Sequence, residues 1–84
     1  MKVIFGPHAE EKFQLLAERG FLVSRKQVLD CLNEPDKIGD GYKGRRVAQR
    51  RIDEGHVLRV VYLEERDGRR VITFYPGVRS RYED

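Results

Sequence analysis

The sequence predicts an α+β domain, β-α-α followed by a three- to four-stranded antiparallel sheet, with the helices packed on one face. Three observations carry the prediction. Apolar residues recur at helical spacing as far as Pro35 and alternate after it. Ser24 and Gln27 have the S-x-x-Q form of a capping box, which starts a helix cleanly. Asp67-Gly68, between two apolar runs, is a tight-hairpin signal.

Taken in order, Lys2–Phe5 is a short apolar run suited to an edge or opening strand. Pro7 stands where a first helical residue needs no N–H, and Ala9, Phe13, Leu16 and Ala17 follow at helical spacing. Gly20 can take the left-handed turn that ends this helix. The second helix starts at Ser24, turns Val28, Cys31 and Leu32 inward, and stops at Asn33-Glu34-Pro35. Asp36–Gly39 then reads as a short strand turning through Asp40-Gly41. Arg45–Ile52, His56–Glu64 and Arg70–Tyr75 read as three longer strands, and Pro76-Gly77 as the end of the last. Because side chains alternate, Ala48, Ile52, Leu58, Val60, Tyr62, Ile72 and Phe74 should face the helices. The opposite face should carry Arg45, Val47, Gln49 and Arg51, then Val57, Arg59 and Val61, then Val71, Thr73 and Tyr75.

Composition bounds the protein further. No linker, repeat or low-complexity stretch interrupts the 84 residues, so one domain over 1–84 is expected. With 39% hydrophobic and 37% charged residues the chain is too apolar for disorder. No apolar run approaches the ~20 residues of a membrane span. The opening Met1–Phe5 run meets Gly6-Pro7-His8 too soon for a signal peptide, which points to the cytoplasm. A single cysteine leaves no internal disulfide and no cysteine-built zinc site.

Charge is unevenly spread. Met1–Asp40 holds six basic and seven acidic residues, whereas Gly41–Asp84 holds eleven basic and seven acidic, and ten of those eleven are arginine. Tyr42–Ile52 contains Lys43, Arg45, Arg46, Arg50 and Arg51 with no acid. Arginine presents a planar fork that matches phosphate and stacks on bases, so the bias favours a phosphate-bearing partner; the competing reading is a solvated, ion-paired surface. Three arginines, a glutamine, a threonine and a tyrosine on a floor of valines would offer phosphate contacts, hydrogen bonds and a stacking ring on one rigid face.

There is no Gly-rich phosphate loop, no metal-ligand spacing and no Ser-His-Asp arrangement. His8 with His56 is the nearest approach to a metal pair, so no metal or other cofactor is expected. Cys31 on an inner helix face reads as packing. The chemistry left is metal-free RNA cleavage, which needs a base for the 2′-hydroxyl, cations beside the phosphorane and an acid for the leaving oxygen. His8, Arg51, Arg59 and Tyr75 are the catalytic candidates. Lys43, Arg45, Arg46, Gln49, Thr73, Arg79, Arg81 and Tyr82 are the RNA-binding candidates. Each has a plainer alternative: an exposed helix start for His8, amphipathic packing for Tyr75 and Tyr82, an internal ion pair with Glu10 or Glu11 for Arg59.

His8-Ala9, Arg19-Gly20-Phe21, Ser24 with Val28, and Asn33-Glu34-Pro35 form one part of a pattern. Gly44–Gln49, Leu58–Tyr62 and Val71–Tyr75 form the other. Together, over roughly residues 8 to 75, they resemble a small prokaryotic domain family of unknown function that is similar to the RelE/ParE-like toxins, whose fold belongs with barnase- and colicin-type ribonucleases. The RelE-like resemblance implies ribosome-dependent cleavage of messenger RNA, with Arg51 and Arg59 as sheet cations and Tyr75 or Tyr82 as the terminal phenol. It also implies an antitoxin covering the basic groove. ParE-like relatives imply gyrase inhibition instead. The lysine-rich strand of RNA-cleaving members is arginine-rich here, which bears on general-base catalysis and not on RNA binding. The expected function is therefore a RelE-like, metal-independent endoribonuclease toxin, with a non-catalytic RNA- or protein-binding module as the alternative.

Overall fold

The computed structural model describes residues 2–83. Its order is β1 (Lys2–Phe5), α1 (Pro7–Glu18), α2 (Arg25–Asn33), β2 (Lys37–Asp40), a 3-10 turn (Tyr42–Gly44), β3 (Arg46–Arg51), β4 (His56–Glu65), β5 (Gly68–Val78) and a single helical turn, α3 (Arg79–Tyr82). The strands form one sheet in the order β1-β5-β4-β3-β2. No described helix is long and apolar enough to cross a membrane.

The expected architecture needs three corrections. The sheet has five strands and is mixed, because β1 pairs in parallel with β5, Lys2 opposite Gly68 and Phe5 opposite Val71. No local signal in the sequence announces a partner more than sixty residues away. The helices do not all share one face either: α1 and α2 pack on one side, while α3 lies on the other, where Tyr82 meets Arg59 and Gln49. Finally, β5 runs through Pro76-Gly77 to Val78. The Arg79 N–H bonded to Gly55 O at 2.9 Å sets the phase of the β4–β5 ladder and turns the Pro76 nitrogen away from β4. On that side β1 has already ended opposite Val71, so a residue without an N–H forfeits no ladder bond.

The local devices explain the helices. Pro7 opens α1, and Gly20 at φ +82° follows its end. Ala9 and Leu16 are buried and Phe13 packs half-buried against them, but Ala17 is exposed, since α1 meets the sheet along a narrow stripe. At α2 both capping-box bonds form between Ser24 and Gln27. Val28, Cys31 and Leu32 are buried on its inner face. The α2 carboxyl end carries no basic residue of its own. Two sheet arginines serve it instead, Arg50 donating to Glu34 O at 2.5 Å and Arg69 to Leu32 O at 2.7 Å. The Cys31 thiol bonds Ala48 O at 3.3 Å, and burial pushes its pKa up to about 12, so it stays neutral.

A bulge corrects the strand faces. Val61 pairs with Thr73 but Tyr62 pairs with Val71, which leaves Ile72 as the extra residue. Val71 therefore turns into the core with Phe74, contrary to the expected alternation, and Ile72 stays half-buried outside it. Thr73 and Tyr75 keep the outward face. The hairpin turns through Arg66-Asp67, with Glu65 opposite Gly68.

Gly68 has φ +155°, and a Cβ there would collide with the Lys2 carbonyl oxygen. Gly68→Ala is expected to lower stability by ~2 kcal/mol or more, from backbone strain and loss of the parallel pairing. Urea unfolding measures it, and a change under ~0.5 kcal/mol, the scale of a neutral surface substitution, would contradict the assignment.

Candidate functional site

The outward face of the sheet is organised in rows. Arg51, Val57 and Gly77 form one cross-strand row; Gln49, Arg59 and Tyr75 form the next; Val47, Val61 and Thr73 the next. The Ile52 N–H bonds His56 O, so Gln49 and Arg59 are a pair without mutual backbone bonds, the type whose side chains approach most closely. Arg59 Nη1 donates to Gln49 Oε1, and Arg59 Nε donates to the Tyr75 hydroxyl at 3.0 Å. The Tyr82 ring lies over the guanidinium, its centroid 4.4 Å from Cζ. Gln49 is 2% exposed and passes the contact on, donating from Nε2 to Tyr82 O at 3.3 Å.

Arg59 thus has neutral partners throughout, and no carboxylate among the described residues. Of the two acids considered as its internal partner, Glu10 is bonded to Arg25 on the other side of the sheet, and Glu11 is exposed on the same helix. A guanidinium held by an amide, a phenol and a ring is oriented yet keeps its full charge, which is the electrostatic condition for taking an external anion.

Beside it, Glu83 joins two further arginines. Its carboxylate accepts from Arg79 Nε at 2.7 Å and lies 3.5 Å from Arg51 Nε and Nη2. The Arg79 hydrogen bond, then that of Arg51, holds the Glu83 carboxyl below its ordinary range. Arg79 also donates to Glu54 O at 2.5 Å. At the adjoining hairpin, Asp53 lies 3.0 Å from His56 Nδ1; the Gly55 N–H first and His56 second lower its pKa. His56 also meets the Phe21 ring edge-on at 5.1 Å.

The sequence-predicted residues separate into three groups. Gln49, Arg59, Tyr75 and Tyr82 come together at the guanidinium, and Arg51 and Arg79 lie beside them, joined through Glu83. Thr73 and Arg45 lie on the same face but further along it; Arg45 is four residues before Gln49, about 13 Å along an extended strand. Thr73 Oγ1 and Arg45 Nε are buried without a hydrogen-bond partner. The rest stand apart. Lys43 is exposed in the 3-10 turn at φ 57°, Arg46 falls on the helix-side parity opposite Tyr62, and Arg81 is exposed on α3. His8 is exposed at the start of α1, which packs on Phe74 and the core, so it is on the opposite face from Arg59.

Three contributors have no sequence signal as site residues. Lys37 Nζ reaches from the β2 edge to Tyr82 O at 2.7 Å, and Glu83 bridges Arg51 and Arg79. Gly77 seats the Tyr82 ring, which would overlap any Cβ there. Among the described residues, no group of three or more His, Cys, Asp or Glu side chains is placed to hold a metal ion. Comparison with family models, curated proteins and solved structures finds no match to this chain. The fold and site together define a small α+β domain with a basic, ring-lined sheet face.

Arg59→Leu strands the buried Gln49 oxygen and should cost about 1–3 kcal/mol, while adding Gln49→Leu should return part of that loss, because the buried amide oxygen is then no longer left unpaired. Chemical denaturation of the three variants checks this, and a double variant as unstable as the two losses summed would contradict it. Glu83 titrates low in the folded chain, so its stabilisation is complete above the ordinary glutamate range and disappears as pH falls through the lowered value. The stability gap between wild type and Glu83→Gln should accordingly close on acidification; a gap independent of pH would show that the ion pair contributes nothing.

Proposed function

We propose that this chain is a RelE-like, RNA-directed protein whose sheet face takes an RNA phosphate at Arg59 and cleaves the strand without a metal. The observation that supports it is the oriented, half-buried guanidinium, which has no acidic partner among the described residues. Arg51 and Arg79 extend the cationic surface beside it. The Tyr75 hydroxyl accepts from Arg59, which leaves its own proton to donate. In this reading the 2′-hydroxyl attacks its own phosphate and gives its proton to water as the bond to the 5′-oxygen breaks. Arg59 stabilises the phosphorane, and the Tyr75 phenol protonates the leaving 5′-oxygen and recovers its proton from solvent. The reading also carries a cytoplasmic location, RNA or the ribosome as target, and an antitoxin that covers the basic face.

A second reading, binding without cleavage, has its own support. His8, a catalytic candidate, is on the other side of the sheet, and the row of Gln49, Arg59 and Tyr75 contains no imidazole or carboxylate to serve as a base.

Induced expression in a bacterial host with mapping of messenger RNA ends separates the two. Growth arrest with new 5′ ends inside coding regions, lost in the Arg51→Ala/Arg59→Ala variant, is expected for the nuclease. Binding is tested by RNA affinity against salt concentration. Arg59→Ala should weaken it about tenfold to a hundredfold, the loss of a charge-assisted hydrogen bond, and reduce the logarithmic salt slope by about 0.7. An unchanged affinity and slope in the folded variant would remove both readings.

A further inference from the structure

The most specific contacts on the Arg59 face are made by the chain itself, through α3 and Glu83. The Tyr82 ring covers the Arg59 guanidinium with its centroid 4.4 Å from Cζ, seated on Gly77. One residue on, the Glu83 carboxylate sits between Arg79 at 2.7 Å and Arg51 at 3.5 Å. Between ring and carboxylate, the Tyr82 carbonyl accepts from Lys37 Nζ at 2.7 Å and from Gln49 Nε2 at 3.3 Å. An aromatic ring, a polar acceptor and an anion thus lie in sequence along one cationic surface.

We propose that this Tyr82-Glu83 unit is a built-in occupant of the site, and that the ligand it stands in for is a nucleotide unit, a planar base linked through hydrogen-bonding oxygens to a phosphate. Each contact has a replacement of the same kind. A base stacks on the face of the Arg59 guanidinium where the phenol ring does, leaving its Nη2 edge to the cleaved phosphate. The neighbouring phosphate's oxygens replace the carboxylate on Arg51 and Arg79, and sugar or phosphate oxygens accept from Lys37 and Gln49. A four-residue helical turn has no independent stability, so these contacts are what hold it. The turn and the ligand therefore compete, and the apparent affinity of the resting protein is its intrinsic affinity reduced by the fraction of molecules with the turn released. The choice of a nucleotide rests on the RNA reading above, whereas occupation of the site by the turn stands on the contacts themselves.

The test compares wild type, Tyr82→Ala and Glu83→Gln, with folding confirmed by circular dichroism. Each is titrated with adenosine monophosphate and with a short labelled oligoadenylate, and the Tyr82 ring is followed by NMR in the wild type. Both variants should bind the monophosphate roughly fivefold more tightly, and the Tyr82 ring resonances should move towards solvent-exposed positions as the ligand is added. Should Tyr82→Ala not fold, Glu83→Gln and the wild-type ring resonances decide alone. Equal or weaker monophosphate binding by the folded variants, with a static Tyr82 ring, overturns the competition even if RNA binds, and leaves the RNA reading standing. Tighter monophosphate binding with no oligoadenylate binding by any form upholds the competition and removes the RNA reading. Binding of neither ligand by any form overturns both.

Discussion

The side chain of Arg59 is the constraint around which the open face of this domain is arranged. It stands in the middle strand between Leu58 and Val60, both fully buried, and its guanidinium must be hydrogen-bonded where water reaches it poorly. A carboxylate opposite would have met the requirement and cancelled the charge. The sequence places Gln49 and Tyr75 there, which satisfy donors and leave the charge intact. Everything else on the face adjusts to that choice. Gln49 is buried and passes its second valence to the Tyr82 carbonyl, Gly77 makes room for the ring, and Glu83 closes over the two arginines alongside.

The bulge opposite Val61 and Tyr62 makes this face compatible with the core behind it. An unbroken alternation would bring Val71 outward with Thr73 and Tyr75. The extra residue, Ile72, allows Val71 and Phe74 both to pack against the helices while Tyr75 stays in register with Arg59. The helix-facing side meanwhile uses arginine for a different purpose. Arg50 and Arg69 satisfy carbonyls at the end of α2, while on the open face Arg70 pairs with Glu65. An arginine-rich composition therefore serves two ends, and the surplus of positive charge available to a ligand is smaller than the residue count implies.

Much of this was legible in the sequence where the signal is local. Pro7, Gly20 and the Ser24–Gln27 box mark helix ends through backbone chemistry that operates over a few residues, and alternation set the face of Gln49, Arg59 and Tyr75. What escaped is long-range or depends on a defect in periodicity. The parallel pairing of β1 with β5 joins the two ends of the chain, and the bulge at Ile72 breaks the period of two on which any facing assignment rests. Pro76-Gly77 reads as a stop, yet the strand continues because β1 is too short to need the missing N–H. The partnership of Lys37 and Glu83 with Tyr82 and the two arginines has no spacing rule behind it, and only the folded chain brings them together.

The proposed function depends on Arg59 being a charge held in position for an external anion. NMR of the arginine Nε–H groups during titration with a short RNA measures this directly. The Arg59 signal, bonded to Tyr75 in the resting protein, should shift saturably and ahead of the exposed Arg46 and Arg81 signals. A silent Arg59, with shifts confined to those exposed arginines, would show that the sheet face is a structural surface and that its central guanidinium serves the fold alone.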